Sequence, residues 1–195
     1  MKIIGITGGI GSGKSCVLNI IKSVNGSYTV EADKLAHSLL LPGNETYRRV
    51  VECFGESIVK ENREIDRAVL RKIVMNSAPK LKQLNDIIHP AVKQYILKDI
   101  NEKRTQNIKY YVIEAALLIQ DGYKDICDEI WYIRSDLETR IKRLMESRGY
   151  SAEIAEDFIK NQPDEDYYIS NSDVVIDNSG TPDELSVKVK NLILL

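Results

Sequence analysis

The sequence predicts an α/β fold in which a parallel sheet is covered by helices on both faces. Two observations predict the sheet: short apolar strand patterns alternate with amphipathic helices, and the first strand runs straight into a glycine-rich turn and then a helix. A third observation adds to it. Roughly seventy residues of mostly helical pattern separate the first helix from the next core strand, far more than one crossover needs, and predict an inserted helical lobe.

The elements justify this in order. Lys2 to Thr7 reads as a buried strand, and Lys14 to Val24 follows as a helix with Val17, Ile20, Ile21 and Val24 at helical spacing. Tyr28-Thr-Val30 is strand-like. Polar stretches such as Lys60-Glu-Asn-Arg-Glu64 and Asn101 to Asn107 mark turns or element ends rather than linkers. Tyr110 to Ile113 is a strand ending in Glu114. Glu129 to Ile133 is another, and Ser135-Asp-Leu-Glu138 after it reads as a capping box opening a helix that carries Arg140, Arg143 and Arg148. Asp173 to Ile176 gives a last short strand, Asp177 to Gly180 a turn, and the Thr181-Pro-Asp-Glu184 box caps a final helix with Leu185, Val189 and Leu192 on one face. The expected organisation is a core of residues 1–32, 104–139 and 167–195, a helical lobe of residues 33–103, and a small helical lid of residues 140–166. No internal repeat or low-complexity tract interrupts it.

Composition bounds what such a fold can serve. The 195 residues are 43% hydrophobic, enough for a proper core. Lys and Arg number 27 against 29 Asp and Glu, so no charge excess points to nucleic acid or a membrane surface. Cys16, Cys53 and Cys127 are scattered, odd in number and without metal-type spacing, which suits reduced thiols. No apolar run approaches membrane-spanning length, and a strand beginning almost at Met1 leaves no room for a signal peptide. A cytoplasmic monomer is expected.

The glycine stretch carries the chemistry. Gly8-Gly9-Ile10-Gly11-Ser12-Gly13-Lys14-Ser15 is a glycine, four free positions, then Gly-Lys-Ser, placed between a strand and a helix as a phosphate-binding loop must be. Bare backbone lets successive N–H groups converge on phosphate oxygens, the helix N-terminus adds its positive dipole end, Lys14 reaches the β- and γ-phosphates, and Ser15 can bind Mg²⁺. A glycine-rich turn with a solvated lysine is the plain alternative, and the strand and helix context speaks against it. Glu114 stands where a parallel strand would end beside that loop. It reads either as a carboxylate behind the metal or as an ordinary strand-terminal acid.

A phosphate-binding loop does not say what receives the phosphate. A GTPase-type switch wants Asp-x-x-Gly after the second or third strand and Asn-Lys-x-Asp for guanine. Asp177-Asn-Ser-Gly180 matches the first but follows the final strand, and the second is absent. Motors usually need larger domains or arginines from neighbours. A small-molecule kinase fits best, since one excursion can hold the acceptor while the other closes arginines over the transferring phosphate.

At this point the residues resemble dephospho-coenzyme A kinases, over nearly the whole chain. The resemblance rests on Gly5 to Ser15, Ala32-Asp33-Lys-Leu-Ala-His37, Phe54-Gly55, Ile65-Asp66-Arg67, Ile88-His89-Pro90, Leu117-Leu118, Arg143-Leu144 with Arg148, and Asp173 with Ile176-Asp-Asn178. Singly most of these are weak; in this order they are highly specific. The resemblance implies ATP and Mg²⁺, with ATP on residues Gly8 to Cys16, Arg148 and Asn178. It implies an acceptor, dephospho-coenzyme A, held by Asp33, His37, Arg67 and His89, and phosphorylated on its ribose 3'-hydroxyl. Asp33 would take the proton of that hydroxyl, and Lys14 and Arg143 would complete the catalytic set. Read without the resemblance, Asp33 is equally well a helix N-cap, His37 a buried satisfied histidine, Arg67 the partner of Asp66 or Glu64, and the three lid arginines a solvated helix face.

Departures matter too. Ala116-Leu-Leu-Ile-Gln120 stands where the family often reads Pro-Leu-Leu-Phe-Glu, so no role for a glutamate transfers there. Phe158 replaces a frequent arginine, Arg140 a frequent glutamine, and Glu31 the first acid of a common Asp-Ala-Asp. The alternative function is a nucleoside or nucleotide kinase of the same layout, with a base-sized pocket and no need of the pantetheine arm.

Overall fold

Ile3 to Thr7 are buried without a break in β1 (Lys2–Thr7), the signature of a strand covered on both faces. The structure, a computed structural model, describes residues 1–194. β1 lies at the centre of a five-stranded parallel sheet with β2 (Ser27–Glu31), β3 (Tyr110–Glu114), β4 (Glu129–Arg134) and β5 (Val174–Asp177), in the order β2-β3-β1-β4-β5. β3 and β4 flank β1, pairing Ile6 with Glu114 on one side and with Trp131 on the other. The chain leaves β1 toward β2 on one side of the sheet and leaves β4 toward β5 on the other, so the carboxyl end of β1 lies at the switch point where open α/β sheets bind ligands.

Two aspartates extend the ladder. Asp128 accepts a hydrogen bond from Ile3 N at 2.7 Å and Asp173 accepts one from Ile130 N at 2.8 Å, each just ahead of a strand. Asp173 thus belongs to the sheet edge, and β5 itself starts one residue later than its pattern indicated.

α1 (Lys14–Lys22) and α9 (Pro182–Leu194) cover one face and close the main core, in which Ile4, Ile6, Val17, Ile21, Trp131 and Val189 are all fully buried. α1 stops short of Val24 because Ser23 turns its hydroxyl back to the Ile20 carbonyl at 2.6 Å, and Gly26 follows with φ 84°. On α9 the buried stripe is Leu185, Val189 and Ile193, with Leu192 partly covered. Its capping box is complete: Glu184 N donates to Thr181 Oγ1 at 3.3 Å and Thr181 N to the Glu184 carboxylate at 2.9 Å.

α6 (Leu137–Arg148), α7 (Ala152–Lys160) and α8 (Glu165–Ser170) fill the stretch between β4 and β5. The cap of α6 is Asp136, which accepts from Thr139 N at 2.7 Å, and not Ser135, whose buried hydroxyl points to the carbonyls of Ser12 and Asn178. These elements, with β1, α1, β2, β3 and α9, form one compact unit of Met1–Val30 and Lys103–Leu195. Glu31–Glu102 forms the other.

That second unit contains α2 (Ala32–Leu39), α3 (Glu45–Phe54), α4 (Arg67–Met75) and most of α5 (Ala78–Lys103). It has its own core of Val50, Ile58, Ile65, Leu70, Val74 and Ile87. Asp66 caps α4, accepting from Ala68 N at 3.0 Å and Val69 N at 3.2 Å. Among the described residues no helix is long and apolar enough to cross a membrane.

Candidate active site

The loop between β1 and α1 turns on Gly11 and Gly13, whose φ values of 77° and 88° are ones that a residue with a side chain rarely adopts. Gly13 is the N-cap of α1, without any side-chain cap, so the first-turn N–H groups are left to other partners. Lys14, the first residue of the helix, folds its ammonium back to the carbonyl of Gly8 at 2.9 Å and stands 4.0 Å from Glu114 Oε1. Both side chains are only 15% exposed, so the pair is largely out of water. Ser15 and Cys16 lie exposed on the first turn of α1.

The far side of the loop is held by carbonyl contacts. Arg143 donates from Nη1 to Ser135 Oγ at 2.9 Å and to the Ser12 carbonyl at 3.3 Å, and from Nη2 to the Asn178 carbonyl at 2.9 Å. Asn178, 3% exposed, donates its amide to the Ser12 carbonyl at 2.8 Å. A peptide's C=O and N–H point in opposite directions, so holding the Ser12 carbonyl from behind turns the Gly13 N–H to the other side of the loop. Arg140 and Gln162 hold the neighbouring residue, Ile10, in a similar way. Arg148 ends α6, exposed and carrying no ion pair among the described residues.

The donor set fits a nucleotide and its metal. Loop N–H groups, a helix N-terminus and Lys14 suit a polyphosphate. The Ser15 hydroxyl and the Glu114 carboxylate are hard oxygen donors of the kind that Mg²⁺ takes alongside phosphate oxygens. Among the described residues no cluster of three or more His, Cys, Asp or Glu could hold a metal ion by itself.

In the helical unit, a cavity of about 640 Å³ is lined by Asp33, His37, Arg67, Arg71, Val74 and Ile88, among others. Its floor is apolar and its rim charged. Asp33 is exposed in the first turn of α2, whose N-cap is Glu31, so Asp33 is not the cap. His37, one turn on, meets Arg67: His37 Nε2 and Arg67 Nη2 are in hydrogen-bond contact. Partial burial, and then the Arg67 charge, push the His37 imidazole below its ordinary range, against a smaller upward pull from Asp33. The neutral ring can then accept a hydrogen bond from the guanidinium at Nε2. Arg67 thus finds His37 rather than Asp66, which caps its helix. His89 is half-buried on α5 beside Ile88; the lining gathers Asp33, His37 and Arg67 and does not take in His89.

Sequence reasoning missed Ser135, Gln162 and Arg71. Ser135 was given to a helix cap. Gln162 lies 152 residues from the Ile10 N–H it accepts, with no local pattern to mark it. Arg71 was legible only as one turn of helix beyond Arg67.

The comparisons with known proteins agree with this geometry. The dephospho-CoA kinase family model matches residues 2–184. A dephospho-CoA kinase of Carboxydothermus hydrogenoformans is 40% identical, with 93% of this chain and 87% of that protein covered. That of Geobacter sulfurreducens is 37% identical over 98% of this chain and 97% of the relative. Among solved structures, a dephospho-CoA kinase from Campylobacter jejuni superposes with a TM-score of 0.74 at 25% identity, covering 100% of this chain and 96% of the other. A shikimate kinase from Acinetobacter baumannii, at 14% identity and TM-score 0.55 over 100% of this chain and 93% of its own, shares the fold alone. The family match over almost the whole chain, on a loop and sheet built for a nucleotide, leaves one conclusion: this chain belongs to the dephospho-CoA kinase family.

Proposed function

We propose that the chain transfers the γ-phosphate of ATP to the ribose 3'-hydroxyl of dephospho-coenzyme A, giving coenzyme A and ADP. The observation that carries the reading is the β1 to α1 loop with its half-buried Lys14 and Glu114, in a chain matched to this family from residue 2 to residue 184. Lys14 and the loop N–H groups hold the β- and γ-phosphates, and the turn from Asp177 to Gly180, whose Asn178 holds the loop from behind, borders the adenine. Ser15 would hold Mg²⁺, with Glu114 behind it, and the bound cation would supply charge neutralisation at the phosphate oxygens.

Asp33 is the base that orients and deprotonates the acceptor hydroxyl. Its support is an exposed carboxylate on the wall of a cavity whose rim carries Arg67 and Arg71 and whose floor is apolar, chemistry that suits an acceptor with a phosphate-bearing head and an apolar arm. His37 and Arg67 bind that acceptor together, with His89 close by on α5. Arg148, exposed at the end of α6, meets the charge of the transferring phosphoryl group. Arg143 serves the same charge from behind the loop, through the carbonyls it holds. A cytoplasmic enzyme with reduced thiols completes the reading.

Asp33→Asn tests it. ATP consumption by the wild type should require both dephospho-coenzyme A and Mg²⁺, and the variant should lose about a hundredfold or more in kcat with KM for ATP and thermal stability unchanged. Full activity in the variant would remove Asp33 from the reaction, and ATP hydrolysis indifferent to the acceptor would remove the kinase reading.

A further inference from the structure

Ile10, at the crest of the phosphate loop, is gripped on both sides by two side chains from the helices that follow β4. Gln162 Oε1 accepts the Ile10 N–H at 2.8 Å, and Arg140 Nε donates to the Ile10 carbonyl at 2.9 Å. The two grips are linked, because Arg140 Nη2 donates to the same Gln162 oxygen at 2.8 Å. We propose that Arg140 and Gln162 form a clamp that sets the nucleotide affinity of the loop, acting as positioning residues through the Ile10 peptides. The proposal rests on the reading of this loop as the ATP site.

The N–H and C=O of Ile10 belong to two successive peptide planes, each planar and trans. Gln162 fixes the first plane and Arg140 the second, so the Gly11 N–H, on the second, is turned away from Arg140 and toward the opposite side of the loop. Arg143 and Asn178 do the same for the next plane but one by holding the Ser12 carbonyl. Without the clamp the crest keeps three long bonds, from Ser12 N at 3.3 Å and Lys14 Nζ at 3.4 Å to the Gly9 carbonyl and from Arg143 Nη1 at 3.5 Å to the Gly11 carbonyl, around glycines that rotate readily.

The sequence of the loop fits the clamp. A Cβ on Gly9 would stand 2.8 Å from Arg140 Cζ and 2.9 Å from Gln162 Oε1, and one on Gly11 would stand 2.8 Å from the Arg140 carbonyl. Bare backbone is therefore required on the clamp side of this loop as well as on the phosphate side. Gln162 uses one oxygen as a double acceptor, and Arg140 uses two separate donors in a fixed fork, so neither role passes to a lysine or an aliphatic residue.

The test measures the Kd of ATP by calorimetry, and KM for ATP and for dephospho-coenzyme A, in the wild type, Gln162→Leu, Arg140→Lys and the double variant. Each single variant should weaken ATP about fivefold or more with KM for dephospho-coenzyme A within twofold of wild type. The double variant should be no worse than the weaker single, because both remove one clamp. ATP affinity left at wild-type strength, effects that simply add, tighter binding in either single variant, or a loss confined to melting temperature would each overturn the proposal. A wild type that binds no ATP would instead overturn the nucleotide reading, and the clamp with it.

Discussion

Cys127 and Cys16 show how much the surroundings of one residue type decide. Burial first, and then the charges of Asp128 and Asp173, push the Cys127 thiol up to about 12, so it is not a thiolate at neutral pH. Cys16 and Cys53 are exposed. A thiol-counting reagent at pH 8 should therefore label two cysteines in the native protein and the third only after unfolding, and MgATP should protect Cys16, which adjoins Ser15, and leave Cys53 reactive. His37 gives a pH signal of definite sign. Its pKa is lowered in the folded state, so the unfolded chain takes up the proton first, and the stability present above the ordinary histidine range is lost as pH falls through it. Thermal unfolding followed from pH 7.5 to 5.5 should show this loss, reduced in His37→Asn. At this scale the loop residues Gly8 to Ser15 were fully legible, since their spacing is set by local backbone chemistry. The two faces of Arg143 were not: its type and helix could be read, but the carbonyls it holds lie 131 residues upstream at Ser12 and 35 downstream at Asn178.

Helix ends separate what local sequence decides from what it does not. The Thr181 and Glu184 box was legible because both partners lie within one turn, and it forms as written. Thr181→Ala should cost about 1 kcal/mol of stability in urea unfolding, with activity unchanged at temperatures where α9 stays folded. Ser135-Asp-Leu-Glu138 reads locally as a capping box with the serine as cap. Tertiary contacts reverse that choice: a hydroxyl at position 135 is needed under the loop, so Asp136 takes the cap through Thr139 N and its hydroxyl. Phe158 follows the same rule. It stacks on Tyr150 with ring centroids 5.3 Å apart, a contact between α7 and the turn before it that an aromatic residue in isolation does not announce.

For the whole molecule, the alternation of strands and helices was readable because buried parallel strands are short and apolar, whereas the order β2-β3-β1-β4-β5 was not, since β1 pairs with partners more than a hundred residues away on both sides. That order nonetheless places the one unmistakable motif at the carboxyl end of the central strand. The chain carries two cores, one around Ile4 and Trp131 and one around Val50 and Leu70, and so two sets of chemistry: a glycine loop with Lys14 on the first unit, an arginine-rimmed apolar cavity in the second. The central claim joins them as transfer from ATP to one hydroxyl of one acceptor. Its most direct test is to incubate the protein with MgATP and dephospho-coenzyme A and locate the new phosphate by ³¹P NMR and mass spectrometry, with adenosine and AMP as competing acceptors. The account predicts one ADP per coenzyme A formed, the phosphate on the ribose 3'-hydroxyl, and no product from adenosine or AMP; phosphate on another hydroxyl, or on a nucleoside or nucleotide instead, would contradict it.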